Sequence, residues 1–209
     1  MSDTKKMADC EADVEKRIIE TARRLFAENG YEDTCMNQIA AQVGMSRPTL
    51  YYHFRTKEKL YQAVFGDIVS LILPRLQVLI ESDLPFFERV SRIIDMYIEI
   101  FSKNPMLPRF VVNEVHRDVS FVVRNLRHLA LDEEINKLAC FVENEMEQGH
   151  IKRVPLQIVF MTFYSQLIFP FLVREMYQII FQEGEADFIK FLGTWKKNML
   201  SQMRALLEV

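Results

Sequence analysis

Apolar residues recur every three or four positions along most of this chain, separated by polar turns, which is a helical periodicity. Val14, Ile18, Ala22, Leu25 and Phe26 form a stripe of three turns that ends at Asn29 and Gly30, a pair able to adopt the left-handed conformation. Met36, Ile39, Ala40 and Val43 form a second stripe, with Thr34 expected as its N-cap and Gly44 as its end. Ser46 is the expected N-cap of a third helix, and Pro48 lies in its first turn, where a missing N–H is harmless. Leu50 and Phe54, four residues apart, are the only large apolar anchors of that helix. Thr56 should cap a longer helix with Leu60, Val64, Ile68 and residues 71–73 on its buried side, and Pro74 should kink or end it. Further helices are expected at about 84–103, 105–117, 119–149, 153–182 and 186–207, with breaks at Asn104-Pro105, Gly149 and Gly184. Residues 1–12 are polar and unpatterned, and read as a mobile tail.

The pattern predicts an all-α protein: a three-helix helix-turn-helix head in residues 1–60 and a larger helical body in residues 61–209. A compact chain of 209 residues can bury about 70% of its unfolded surface and needs no covalent staples. Only six glycines and seven prolines occur, and no β-type alternation, internal repeat or glycine-rich phosphate loop is present. Cys10, Cys35 and Cys140 are odd in number and widely spaced, without a CxxC pair. They therefore build neither a disulfide framework nor a zinc site, and with no secretory segment at the N-terminus the expected location is the cytoplasm.

Charge changes the picture at one place. The whole chain carries a formal −3, which does not announce a nucleic-acid partner. Residues 36–60, however, hold Arg47, Arg55, Lys57 and Lys59 against Glu58 alone, a net +3, while residues 1–35 carry six basic and nine acidic side chains, a net −3. Positive charge thus sits beside the short third helix, where phosphates would need it. A helix-turn-helix sets its second helix in the DNA major groove with the N-terminal residues on base edges. Arg47 is suited to a bidentate bond with guanine, and Pro48 and the Thr49 methyl to thymine methyls. Tyr51, Tyr52, His53 and Lys57 are suited to phosphate oxygens. A lone tyrosine, histidine or arginine is usually packed or solvated surface. Here they share one short helix whose core positions are already filled.

Residues 17–65 resemble the N-terminal domain of the TetR family of transcriptional repressors. The resemblance rests on A-x-x-L-F-A-x-x-G-Y (22–31), I-A-x-x-x-G-x-S (39–46) and L-Y-Y-H-F-x-x-K-x-x-L (50–60). It implies a DNA-binding head on an all-α ligand-binding body, and a homodimer formed through the last two helices. It places Arg47, Pro48 and Thr49 where the family reads bases, and Tyr51, Tyr52, His53 and Lys57 where it holds phosphates or neighbouring bases. The function implied is that of a ligand-responsive repressor on a near-palindromic operator. A helix-turn-helix activator and an effector-independent DNA-binding protein remain alternatives.

The body carries no comparable motif. It is rich in Phe and Met, which suits a deformable apolar cavity for a small lipophilic effector. The candidate ligand residues are Phe101, Phe110, Phe121 and Phe163, with Asn113, Glu114, Tyr164 and Gln166 as polar partners. No nucleophile, base and orienting group stand at recognisable spacing, so no enzyme is expected. No cofactor is expected either. His116 is a weak metal ligand, and His128 with Asp132 reads as a surface pair. Residues 154–173 are long and apolar enough to suggest a membrane-anchored interaction protein. Two prolines and Gln157, Thr162, Ser165 and Gln166 within them favour a buried, dimerising helix instead.

Overall fold

The structure is a computed structural model that describes the backbone of residues 2–117, 120, 124 and 131–209. Side chains are described from residue 11 onward within these stretches, except those of residues 114, 115 and 131–135. The described residues form ten α-helices and no strand. The all-α class is therefore as the periodicity predicts.

The first helix, α1 (Ser2–Asp33), buries Ile18, Ala22, Leu25, Phe26 and Ala27. It starts well before its apolar stripe. Residues 2–12 are helical rather than an unpatterned tail, because Lys5, Lys6, Met7, Ala8, Glu11 and Ala12 are good helix formers that lack only an apolar face. Gly30 interrupts α1 with φ 82° and ψ 170°, a conformation closed to most side chains. Thr34 does not cap the next helix, α2 (Met36–Val43). It is fully buried, and its hydroxyl donates to the carbonyls of Gly30 (2.8 Å) and Leu25 (3.1 Å). The hydroxyl thus serves carbonyls of α1 rather than the first N–H groups of α2. Cys35 is the cap instead, its backbone N–H donating to Gln38 Oε1 at 2.8 Å.

Gly44, at φ 79°, closes α2 in the left-handed conformation. Its N–H donates to Ala41, and that of Met45 donates to Ala40 at 2.9 Å. The short helix α3 (Arg47–His53) begins at Ser46, whose hydroxyl accepts from the Thr49 N–H at 3.3 Å. Then α4 (Lys57–Ile80) starts where Thr56 Oγ1 accepts from the Lys59 N–H at 3.1 Å, and it buries Leu60, Tyr61, Val64, Phe65 and Ile68. Of the two outcomes expected at Pro74, a kink or an end, α4 does not end there and runs on to Ile80. Both Pro74 and Ser70, whose carbonyl loses its donor to the proline, are exposed, so solvent can serve the freed group.

Packing divides the chain into two compact units, 1–70 with 109–125 and 71–108 with 126–209. The first takes in more than α1 to α3, adding part of α4 and residues 109–117 of α6 (Leu107–Arg117). The second is built from the rest of α4, α5 (Phe86–Lys103), α7 (Leu131–Glu147), α8 (Leu156–Leu172), α9 (Arg174–Phe181) and α10 (Glu185–Leu207). Phe86, Val90, Ile93, Ile94, Tyr97 and Phe101 on α5 and Phe188, Leu192, Met199 and Met203 on α10 form much of its interior. Arg89 is held there by the Ile80 carbonyl (3.0 Å), by Glu145 (2.8 Å) and by the Phe141 ring (4.4 Å to the centroid).

The single helix expected at 153–182 is two helices, α8 and α9, bent by 62°. Pro170 cannot donate to the carbonyl of Gln166 four residues earlier, and Trp195 Nε1 donates to that carbonyl instead at 2.9 Å. The 17 residues of α8 fall short of the about 20 that a membrane span needs. By length and composition α4 could cross a membrane, and a helix buried in a protein core meets the same condition.

Candidate functional site

The head presents one face of α3. Arg47, Pro48 and Thr49 in its first turn are exposed, and Tyr52 is 74% exposed. Behind them Leu50 is fully buried and Phe54 half-buried, so the anchors lie where the pattern put them. The polar groups are ordered among themselves. Arg47 lies over the ring of Tyr51, 5.2 Å from its centroid, and the hydroxyls of Ser46 and Thr49 stand 2.7 Å apart. An arginine resting on a tyrosine loses less side-chain freedom when it docks on a base edge.

Two of the expected phosphate donors are placed differently. The His53 side chain is only 8% exposed and faces α1, with Nδ1 3.5 Å from Glu15 Oε1. It is not a free surface donor, because its ring is turned toward the supporting bundle. The ammonium of Lys57 sits 4.2 Å over the Tyr31 ring and donates to the Glu32 carbonyl at 3.2 Å. Its charge stays beside α3 but starts from an internal bond.

The sequence reading missed the residues that hold this face in place. Arg17 donates to the Val43 carbonyl at 3.3 Å, and Arg24 donates to Gln42 at 3.1 Å, tying α1 to the end of α2. Arg23 pairs with Asp67 of α4 at 3.2 Å. Tyr31, Phe26, Tyr61 and Phe110 form an aromatic cluster, and Arg117 lies 4.3 Å over the Tyr31 ring. Cationic residues on the polar side of α1 were visible, but their partners are 18 to 44 positions away.

The body contains an apolar cavity of about 50 Å³. Leu76 of α4, Phe86, Val90 and Ile93 of α5, Phe141 and Val142 of α7, Phe160, Phe163 and Tyr164 of α8, and Met203 of α10 line it. Of the candidate ligand residues it brings together Phe163 and Tyr164. Phe101 instead packs on Phe171, with ring centroids 5.2 Å apart, and Phe110 packs on Tyr61 in the head unit. Asn113 is half-buried in the head unit. The carbonyl of Gln166 bonds Trp195, while its side-chain oxygen is buried without a partner. Phe121 and the side chain of Glu114 lie outside the described residues, as does His128. The Tyr164 hydroxyl lies 3.3 Å from that of Tyr97. Burial pushes both phenols above their ordinary range, most strongly Tyr97, where Tyr164 adds to the effect. Among the described residues no cluster of three His, Cys, Asp or Glu could hold a metal.

A short glycine-turn helix pair with an exposed polar second helix, carried on an all-α body, defines a helix-turn-helix protein. Residues 18–64 match the model of bacterial regulatory proteins of the tetR family, so the head is of the tetR type. It is 28% identical over 113 residues to the uncharacterized HTH-type transcriptional regulator YhgD of Bacillus subtilis, across 49% of this chain and 59% of that one. It is 31% identical over 107 residues to the nucleoid occlusion factor SlmA of Mannheimia succiniciproducens, across 47% and 50%. The matches thus span between half and two thirds of these relatives. The fold is similar to that of a TetR family transcription regulator from Marinobacter aquaeolei (TM-score 0.70, 22% identity, 97% of this chain and 100% of that one). It is also similar to FadR from Bacillus subtilis, solved with stearoyl-CoA (TM-score 0.68, 18% identity, 89% and 97%).

Proposed function

We propose that this protein is a cytoplasmic, homodimeric transcriptional repressor that grips a near-palindromic operator with α3 and lets go when a small lipophilic effector enters the body. The observation that carries this reading is the exposed face of α3, polar and cationic on a helix anchored from behind by Leu50. Residues 1–60 act as the DNA-binding domain and residues 61–209 as the effector and dimerisation domain. Arg47, Pro48 and Thr49 read bases, Tyr51, Tyr52 and Lys57 hold phosphates, and His53 braces the end of α3 against Glu15.

An exposed apolar face supports the dimer. Nine of the twelve exposed large apolar side chains among the described residues lie between 158 and 189. Ile158, Met161, Phe169 and Leu172 share one side of α8, and Met176, Ile179, Ile180 and Phe181 continue it along α9. A patch of this kind on a water-facing surface marks a place for another chain. Two heads held by such an interface would meet successive major grooves, one helical turn (about 34–36 Å) or somewhat more apart.

Release follows from linkage. An effector that prefers the DNA-incompetent arrangement shifts the population away from the operator, with an ordinary coupling of about 1–3 kcal/mol. The continuous helix α4, whose residues fall in both units, supplies the mechanical connection. The test is operator selection followed by titration of Arg47→Ala. The variant should lose about 1–3 kcal/mol of discrimination at one guanine while keeping weak, sequence-independent binding. An unchanged sequence preference would sink the assignment of α3 as the reading helix.

A further inference from the structure

We infer that Arg117 is a positioning residue for DNA binding: it steadies the Tyr31 ring on which Lys57 rests and offsets the carboxylate of Glu32, so that Lys57 meets a phosphate from a fixed and favourable place. The inference rests on the phosphate-holding role given to Lys57 above and extends it to a residue of α6.

The face that α6 turns to the rest of the head unit sets this up. Phe110 is 1% exposed and packs on Tyr61, with ring centroids 5.4 Å apart. Arg117 follows two helical turns later and so falls on the same face of α6. Its guanidinium lies 4.3 Å from the centroid of the Tyr31 ring and 5.3 Å from that of Tyr61. Those two rings meet edge to face, 4.8 Å apart. The ammonium of Lys57 lies 4.2 Å from the same Tyr31 centroid. One phenol ring thus seats two cations, and the place of the ring decides where the Lys57 ammonium stands.

Glu32 ties the same pair together by charge. Its carbonyl accepts from Lys57 Nζ at 3.2 Å, while its carboxylate lies 4.0 Å from Arg117 Nη1. An ammonium has three N–H donors, and the carbonyl takes one, which leaves donors for a phosphate oxygen. The carboxylate on that same residue repels such a phosphate, and a screening length of about 8 Å at physiological salt is too long to remove the effect. The Arg117 guanidinium offsets it. The Glu32 side chain is 78% exposed, so the pair adds little to stability and acts through the local field.

The test compares the affinity of the full-length protein for its selected operator and for a random duplex, read by the anisotropy of labelled DNA. Arg117→Gln should weaken both by the same factor, about two- to fivefold, which is the worth of one exposed cation–π contact. In a Lys57→Ala background the same substitution should cost less than about half of that factor, because the group it positions is gone. An equal loss with and without Lys57 overturns the inference, and so does a loss confined to one base position or no loss at all. Arg117→Lys keeps a cation for the ring and should hold affinity within about twofold. A larger loss there overturns the inference even if Arg117→Gln proves unstable. Lys57→Ala alone separates the two readings. Unchanged affinity for both duplexes removes the phosphate role of Lys57 and this inference with it. A loss on which Arg117→Gln adds its full effect removes only the positioning role.

Discussion

The helix α3 leaves Arg47, Pro48, Thr49 and Tyr52 to solvent and buries Leu50 behind them, whereas α8 turns Phe160, Phe163 and Tyr164 onto an apolar cavity. The two helices solve opposite problems. The head meets a partner with a regular, charged surface, so it can work with side chains held outward at fixed spacing on one element. The body turns its apolar side chains inward, and its cavity draws walls from five helices. Substitutions on α3 should therefore alter one interaction at a time, while substitutions around the cavity alter packing and ligand choice together.

Three substitutions probe that contrast, from the largest effect to the smallest. Glu145→Ala leaves Arg89, which is 14% exposed, without its carboxylate. Breaking such a pair should destabilise the body by about 3–5 kcal/mol, read as the midpoint of urea unfolding. The operator preference of the molecules that remain folded should not change, and a changed preference would break the separation between the two units. Thr34→Val removes a buried hydroxyl and the bonds it gives to the carbonyls of Gly30 and Leu25. The expected loss is about 1–3 kcal/mol of head stability, seen as faster amide exchange at the end of α1 and the start of α2. Lys57→Ala should have the smallest effect on stability, about 0.5–1.5 kcal/mol from the lost contacts with Tyr31 and the Glu32 carbonyl. It should lower affinity for all DNA sequences alike and reduce the salt dependence of binding by about one ion. Base-specific loss from Lys57→Ala would move that residue from the phosphate group to the reading group.

The same contrast explains what could be read from the residues in order. The turn at Gly44, the cap at Ser46 and the anchor Leu50 depend on neighbours within four positions, and local pattern is enough to place them. Thr34 depended on how α1 ends, and its hydroxyl went to the carbonyls of Gly30 and Leu25, four and nine positions back. His53 looked like its neighbours Tyr51 and Tyr52 until the position of α1 turned it inward toward Glu15. The cavity was legible only as an excess of Phe and Met. Phe101, Phe110 and Phe163 are equivalent in sequence, yet one packs on α8, one on Tyr61 in the head unit and one lines the cavity. Which of them meets a ligand is set by how five helices register against each other, and no short window of sequence contains that information.

The bond from Trp195 to the Gln166 carbonyl, made because Pro170 cannot donate there, has an optical consequence. The chain has one tryptophan, so its red-edge fluorescence comes from a single indole. That indole is fastened to the same helix that carries Phe160, Phe163 and Tyr164. Any displacement of α8 relative to α10 lengthens, breaks or re-aims the bond, and the emission wavelength of an indole follows the polarity around its N–H. The protein thus carries its own label at the helix most exposed to whatever fills the cavity, and stopped-flow emission can time that event without attaching a dye.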